Sequence, residues 1–277
     1  MNQESLIFEA RARPAWQAVD VGCLIARQHF FQLLGCWCVT AIPIAAILGL
    51  VYWFGDRGEG GWQFFLFWLF KPFYERAQLF YLSRKVFGEK VRYRDIFFHN
   101  AKVLLRGLPM DLTLRRLSPA RSTNLPVTML EGQGGSRRTK RLQILHRNQT
   151  GPSFPLLLLL VHLEVFLLFS IGLVLALMIP QGLFEDLPVM EILSADAYAT
   201  QLFYISFALT FAAAAIVAPF YVAGGFILYL NRRIHLEGWD LQLIFPPQTV
   251  GGDRSNAATV EDGAAAREQG TLAEAQS

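Results

Sequence analysis

Long apolar stretches separated by polar segments form the pattern of this chain. Three stretches, 32–54, 154–179 and 201–230, are almost entirely apolar. Roughly 20 apolar residues in a helix cross a bilayer core of about 30 Å. Each stretch therefore predicts a membrane-spanning helix. A fourth apolar stretch of suitable length, 62–82, differs from the others because charged residues interrupt it.

The composition supports a membrane protein. Of the 277 residues, 53% are hydrophobic and 17% are charged, whereas a soluble domain carries about 25% charged residues. We therefore predict an all-α integral membrane helical bundle. The first apolar stretch is too long for the core of a signal peptide and no small-residue cleavage pattern follows it, so a cleaved signal is not expected.

The distribution of basic residues predicts the topology. Fifteen of the 25 Lys and Arg residues fall between positions 84 and 147, whereas 181–200 contains none. Basic residues that flank spans stay on the cytoplasmic side, which places the N-terminus, the loop 83–153 and the C-terminus inside. The N-terminus and this loop share a side only if two spans separate them. Residues 62–82 are therefore predicted to be the second of four spans.

The second and fourth spans end in similar sequences. PFY at Pro72–Tyr74 matches PFY at Pro219–Tyr221, and the basic pairs Arg84-Lys85 and Arg232-Arg233 follow at similar distances. The match predicts two parallel repeats, each a pair of spans, related by an axis along the membrane normal. Chance similarity between aromatic membrane segments is the alternative.

Charged residues within the predicted spans need partners. Lys71, Glu75 and Arg76 lie in the second span, and His162 and Glu164 lie in the third. Each charge near the bilayer centre costs roughly 2.5–3.5 kcal/mol on insertion scales. We predict that Lys71 pairs with Glu75 along its helix, and that Arg76 reaches Glu164 or His162 in the third span.

Three roles for this intramembrane polar cluster stay open. The first is that the charges lock two spans together, and the second is a functional site for a proton, an ion or a lipid head group. The third is that Lys71 has no partner and its long side chain carries the charge towards water. In the fourth span, Gly224 and Gly225 predict close approach of another helix.

The polar parts of the chain are predicted to lie at the cytoplasmic face. Residues 16–31 and 92–117 read as interfacial amphipathic helices, and 118–153 reads as a linker whose Gly, Ser and Pro mark turns. The basic charge there favours anionic lipid over nucleic acid. Residues 1–247 are assigned to one membrane domain and 248–277 to a disordered tail. Interfacial or head-group contacts are predicted for Arg84, Lys85, Arg232, Arg233, Glu237, Trp239 and Asp240.

No motif for catalysis or metal binding is present. The chain has no GxxxxGK[ST], HExxH or GxSxG sequence. Its five histidines are scattered rather than spaced as ligands. We therefore expect neither enzymatic activity, nor a metal, nor a cofactor.

Residues 229–243, YLNRRIHLEGWDLQL, carry a family resemblance. The basic pair followed by Glu-Gly-Trp-Asp-Leu at 237–241 resembles the closing signature of bacterial multi-span proteins related to the membrane domain attached to some glycerophosphodiester phosphodiesterases. The helix leading into the first span is also similar. The resemblance implies a bacterial inner-membrane location. It does not extend to phosphodiesterase activity, because the catalytic domain has no counterpart in this sequence.

Together these features predict a non-enzymatic multi-pass inner-membrane protein. The leading interpretation is a scaffold or accessory component that contacts anionic lipids and either a membrane-protein partner or further copies of itself. The alternative is a small transporter or lipid carrier that uses the intramembrane charged site.

Overall fold

The computed structural model describes residues 12–55, 61–89, 91, 108–147, 151–178 and 196–237. Within these ranges the secondary structure is helical, and no strand occurs. They belong to one compact unit, Met1–Glu237. The predicted disordered tail, Trp239, Asp240 and residues 92–107 lie outside the described residues. The all-α prediction is confirmed for the part of the chain that is described.

Nine α-helices and one 3₁₀ turn are described. The helices are α1 (Ala15–Gln28), α2 (Phe30–Phe54), α3 (Gly61–Leu69), α4 (Lys71–Val86), α5 (Leu108–Leu112), α6 (Arg121–Met129), α7 (Gly135–His146), α8 (Ser153–Met178) and α9 (Asp196–Glu237), and the 3₁₀ turn is Leu114–Leu117.

Three of the described helices are long and apolar enough to cross a membrane. They are α2, α8 and the Thr200–Leu236 part of α9, which correspond to three of the four predicted spans. Their burial differs: 78% of the apolar window of α9 is buried, against 6% for α8. Helix α9 is thus the centre of the bundle, and α8 presents most of its apolar surface outward.

Helix α2 runs antiparallel to α9. The rings of Tyr52 and Phe203 stack at 3.6 Å between centroids. Further along, the Trp37 ring lies 4.7 Å from that of Phe211. Residue numbers fall on α2 as they rise on α9, which defines the opposite directions.

Helix α8 is also antiparallel to α9. Its Leu156 side chain lies 3.1 Å from the position that a Cβ on Gly224 would take. Similarly, Leu209 Cδ1 lies 3.7 Å from the position that a Cβ on Gly172 would take. Helices α2 and α8 therefore run in the same direction along α9.

Helices α3 and α4 return along α2. The Phe64 ring lies 5.4 Å from Phe203, which stacks on Tyr52 near the end of α2. Near the start of α2, Gln78 Nε2 donates to the carbonyl of Leu33 at 3.2 Å. The segment from α3 to α4 therefore covers most of the length of α2 in the opposite direction.

The segment 62–82, predicted as the second span, forms two helices, α3 and α4, which meet at Phe70. Pro72 has no backbone N–H, so it cannot bond to the carbonyl of Trp68 four residues earlier. A tighter bond from Phe73 N to Phe70 O, 2.8 Å long, restarts the helix. The proline therefore divides the segment into α3 and α4.

Helix α1 packs along the second half of α9 and not only on a lipid surface. Arg13 and Asn231 exchange two hydrogen bonds of 3.0 and 2.9 Å through the Arg13 backbone. A Cβ on Gly22 would lie only 2.7 Å from the Cα of Gly224. The prediction that Gly224 permits close helix approach is confirmed. Helix α1, Ala15–Gln28, covers most of the predicted helix over 16–31. It contacts α9, and its predicted position on the lipid surface stays a prediction.

Candidate functional site

Two charged residues near the start of α4 are buried inside the bundle and a third is partly buried. Side chains of Glu75 and Arg76 are 1% and 0% exposed, and Lys71 is partly buried. Burial of an ionised group is tolerated only where it is paired and hydrogen-bonded. The sequence-based expectation that these charges need partners agrees with the ion pairs that the structure forms.

The partners themselves differ from the prediction. Lys71 Nζ donates to Glu164 Oε2 on α8, not to Glu75. The carboxylate of Glu75 instead accepts from Arg121 Nη2 of α6 at 2.5 Å. Arg76 Nη2 donates to Asp111 Oδ2. Helical spacing correctly placed Lys71 beside Glu75, but partners outside α4 bind both.

His162 does not join these pairs. Its ring lies on an exposed part of α8, and Nδ1 is 2.7 Å from the carbonyl oxygen of Leu158 one turn earlier. The predicted contact between Arg76 and either His162 or Glu164 is therefore wrong. Among the two residues proposed on the third span, only Glu164 contributes to the charged site.

The segment 108–129 supplies two of the three partners. It was predicted to be part of a cytoplasmic loop with interfacial helices, but it folds against α4 and α9. Helix α6 is buried from Ser122 to Thr128. A Cβ on Gly225 would lie 2.3 Å from the Cβ of Ser122, so this glycine also permits close packing, as predicted. The loop interpretation is thus corrected: this part of the loop completes the bundle.

Arg116 stabilises the break before Pro72. Its Nη2 donates to the Trp68 carbonyl at 2.7 Å, which is the carbonyl that Pro72 leaves without a helical donor. The guanidinium carbon also lies 4.0 Å from the centre of the Trp68 ring, a cation–π geometry. A residue of the predicted cytoplasmic segment therefore satisfies the backbone at the break.

A cavity of about 300 Å³ lies between these elements. Its apolar wall comes from α8 and α9, and includes Leu157, Leu160, Val161, Val217 and Ala218. Its charged wall carries Lys71, Glu75, Arg116, Arg121 and Glu164. Three cations against two carboxylates give the lining a formal net charge of +1.

The charges differ in depth. Side chains of Lys71 and Glu164 are 15% and 21% exposed, whereas Glu75 is 1% exposed. The first pair therefore lies nearer the mouth of the cavity and Glu75 lies at its base. Arg121, which binds Glu75, also lies over the ring of Tyr221 at 5.4 Å.

Four buried polar atoms of the cavity lining have no hydrogen-bond partner among the described residues: Arg116 Nη1, Arg121 Nε, Tyr221 Oη and Glu75 Oε2. Arg116 Nη1 is buried and makes no hydrogen bond. Burial, and secondarily the positive charge of Arg121, lowers the pKa of Arg116 to about 10. The guanidinium still carries its proton at neutral pH. The charges of Glu75 and Glu164 oppose this lowering of the pKa, so the cavity is lined by a cationic donor whose charge is only partly compensated.

The structure places some of the predicted interfacial residues. Arg84 is exposed and lies 3.3 Å from Glu89, and Arg233 lies 5.9 Å from the ring of Tyr229. Glu237 ends α9, and contacts of these groups with lipid stay predictions.

The tyrosines and prolines of the predicted repeat are all buried in the bundle. Tyr74 packs 5.6 Å from the ring of Trp37, and Tyr221 lines the charged cavity. Pro72 breaks its segment, whereas Pro219 lies inside the continuous helix α9. The predicted pair of prolines therefore occupies unlike helices.

No cluster of three or more His, Cys, Asp and Glu side chains occurs among the described residues. Comparison with known proteins adds no assignment, because no family model, curated protein or solved structure matches this chain.

Proposed function

We propose that this chain is a non-enzymatic, multi-pass membrane scaffold or accessory protein that contacts anionic lipids and membrane partners. The ion pairs of α4 are the main support. Lys71, Glu75 and Arg76 each bind a different segment, namely α8, α6 and α5. Such pairs attach peripheral segments to the bundle, which is the role expected of a structural lock.

The segment formed by α3 and α4 is proposed as a fourth crossing. Helices α2 and α8 run in the same direction, so the chain between them must return to its starting side. The course of α3 and α4 along α2, from Phe64 near Phe203 to Gln78 at Leu33, supports this return. Together with the basic residues, it supports cytoplasmic N- and C-termini in a bacterial inner membrane.

Reporter fusions test this topology. Fusions at positions 58 and 190 should report the periplasm, and fusions at 120 and 270 should report the cytoplasm. A periplasmic signal at 120 would contradict both the fourth crossing and the proposed orientation.

The outward apolar surface of α8 supports contact with lipid or a second membrane protein. Only Ser153, Leu156 and Leu160 of this helix are buried. Purification in mild detergent, followed by mass spectrometry of bound proteins and lipids, tests the accessory role. A stable partner, or a homo-oligomer, is expected; recovery of monomer without lipid or partner would oppose it.

Charge-pair variants test the structural lock. Lys71→Met should leave Glu164 without its cation, and Glu164→Leu should do the converse. Each single variant should lower the amount of folded protein in the membrane, and the double variant should recover much of it. Equal levels of all four proteins would show that this pair does not lock the helices.

The charged cavity favours a second candidate function, a small transporter or lipid carrier. Ionisable groups at membrane depth are frequent on substrate and ion pathways. The double variant Glu75→Gln, Glu164→Gln distinguishes the two functions. Normal insertion and assembly with loss of a transport phenotype would favour the transporter, whereas loss of protein level alone would favour the scaffold.

A further inference from the structure

The charged cavity has the chemistry of a binding site for an anion. Its lining carries one more cation than anion, and Glu75 and Glu164 are already bound by Arg121 and Lys71. Arg116 is the cation without a carboxylate partner among the described residues of this lining. A buried cationic donor gains most from an ionised acceptor, because hydrogen bonds to charged groups are the strong ones.

Arg116 is also held in place for such contact. Its Nη2 is fixed by the Trp68 carbonyl at 2.7 Å, and the guanidinium stacks on the Trp68 ring. Nη1 stays unbonded and buried. One edge of the planar group is thus anchored, and the remaining donor needs little further ordering before an oxyanion binds.

The opposite wall of the cavity is apolar. Leu157, Leu160 and Val161 lie on α8, and most of this helix is exposed along its length. A volume of about 300 Å³ lies at the lower limit of small-molecule sites. It suits one polar head group, with attached hydrocarbon lying outside against α8.

The cavity extends along α8 from near the start of the helix. Leu157 and Glu164 are seven residues apart, a rise of about 10 Å, and both line the cavity. The partly exposed pair of Lys71 and Glu164 lies nearer the mouth than Glu75. An amphiphile lying beside α8 could therefore place its charged end in the cavity.

We propose that this cavity binds the phosphate group of an anionic phospholipid, and that Arg116 Nη1 is its principal protein donor. This inference rests on the proposed membrane location and deepens the proposed lipid contact. It assigns one discrete site, separate from the basic residues that are predicted to contact the inner membrane surface.

Native mass spectrometry of the full chain from nanodiscs tests the site. The discs contain either phosphatidylglycerol mixed with phosphatidylcholine, or phosphatidylcholine alone. One tightly retained phosphatidylglycerol is expected, and Arg116→Gln should weaken its retention by about tenfold. Arg137→Gln is the matched control, because Arg137 is an exposed arginine of α7 that does not line the cavity. It should leave retention unchanged.

A second variant separates loss of binding from loss of folding. Val161→Trp narrows the cavity from α8 and keeps every charged group, so it should also reduce retention. Thermal unfolding verifies that each variant is folded. Retention of phosphatidylglycerol at the unchanged level in folded Arg116→Gln and Val161→Trp would overturn the lipid site.

Inorganic phosphate distinguishes the two sources of the anion. If millimolar phosphate raises the melting temperature in phosphatidylcholine discs, and Arg116→Gln abolishes the rise, the site binds free phosphate and the lipid assignment is overturned. Membrane insertion and partner recovery are measured on the same variants. They should be unaffected by Val161→Trp, which keeps the hydrogen bond from Arg116 to Trp68 and every charged pair, so failure of this site differs visibly from failure of the scaffold function.

Discussion

The Pro-Phe-Tyr sequence occurs in two places that pack differently. The helix is interrupted just before Pro72, and the nearby charged residues Lys71, Glu75 and Arg76 bind α8, α6 and α5. At Pro219 the helix α9 continues from Asp196 to Glu237. Where α4 carries Lys71, Glu75 and Arg76, α9 carries Ala218, Val222 and Ala223 in the same alignment. Both sets lie in the interior, but only one set is charged.

This difference shows two ways of attaching a helix to the bundle. Near Pro219, small residues let α1 and α6 approach closely, as at Gly224 and Gly225. Close approach gives packing contacts but requires regular helices with matching surfaces. Near Pro72, short and irregular segments are attached, and paired charges hold them without a long packed surface.

The largest effect is expected from breaking the deepest charge pair. Arg76→Met removes this cation from Asp111, which is 4% exposed and keeps only the partly exposed Arg115, 3.2 Å from its other oxygen. Loss of one partner of a buried pair costs about 3–5 kcal/mol. The measurement is the free energy of unfolding in a defined detergent or lipid.

The double variant Arg76→Met, Asp111→Asn is the matched comparison. It removes the buried negative charge together with its partner, so it should recover most of the loss. If the single and double variants are equally unstable, packing of the Arg76 stem, and not its charge, stabilises α4.

A smaller loss is expected from the glycine side of the comparison. Gly225→Ala places a methyl group 2.3 Å from the Cβ of Ser122, and overpacking of this kind costs about 1–3 kcal/mol. Gly172→Ala on α8 is the control, because its nearest neighbour, Leu209, would be at an ordinary 3.7 Å.

Thermal unfolding of both glycine variants is the measurement. The control should be neutral or slightly stabilising, since alanine favours a helix over glycine. Adding Ser122→Gly to Gly225→Ala should restore only part of the stability, because the backbone carbonyl carbon of Ser122 would still lie 2.8 Å from the new Cβ. An undiminished melting temperature in Gly225→Ala alone would mean that α6 is not held against α9 at this point.

Variants of Pro72 and Arg116 test whether Arg116 compensates for the hydrogen bond that Pro72 cannot make. In the unchanged chain, Arg116→Gln removes a charged donor from the Trp68 carbonyl and should cost about 1.5–3 kcal/mol. Pro72→Ala restores a backbone N–H that can bond to the same carbonyl. In that background Arg116→Gln should cost about 1 kcal/mol less.

A double-mutant cycle of unfolding free energies measures this coupling. Additive effects would indicate that Arg116 and the break before Pro72 are independent. The same cycle made with Pro219→Ala is the control. Additivity is expected there, because Pro219 lies in α9 and the Arg116 hydrogen bond is to α3.

The apolar pattern predicted the regular part of the fold. The stretches 32–54, 154–179 and 201–230 were recognised because every membrane-spanning helix must meet the same simple requirement. It needs about 20 apolar residues. The close approach at Gly224 and Gly225 was predicted for a similar reason, since a missing side chain permits contact whatever the partner is.

The charge partners could not be read from the same pattern. Spacing on a helix relates residues three or four positions apart, whereas Arg76 and Asp111 are 35 positions apart. The charges predicted within the spans, Lys71 and Arg76 against Glu75 and Glu164, already sum to zero. Neutrality therefore did not require Asp111 or Arg121 as a further partner. One available signal was Asp111 itself, one of only four acids among the fifteen basic residues of 84–147.

Helix α6 contacts both Glu75 of α4 and Gly225 of α9. The smallest expected effect concerns its contact with α7. His146 Nε2 on α7 lies 2.7 Å from Asn124 Oδ1 on α6. Burial, and secondarily the charge of Arg232, lowers the pKa of His146. A histidine of lowered pKa is neutral in the folded protein while the unfolded chain, with a pKa of about 6.5, begins to bind a proton.

The contribution of neutral His146 to the free energy of unfolding should therefore be fully present above about pH 6.5. It should decline as the pH falls towards the lower pKa of the folded protein. His146→Gln keeps an amide donor for Asn124 and removes the titration, so its unfolding curve should depend less on pH between about 7 and 5. The exposed His235→Gln is a control for general acid effects. If the two variants keep the same pH dependence as the unchanged chain, α6 is positioned by Glu75 and Gly225 without measurable help from α7.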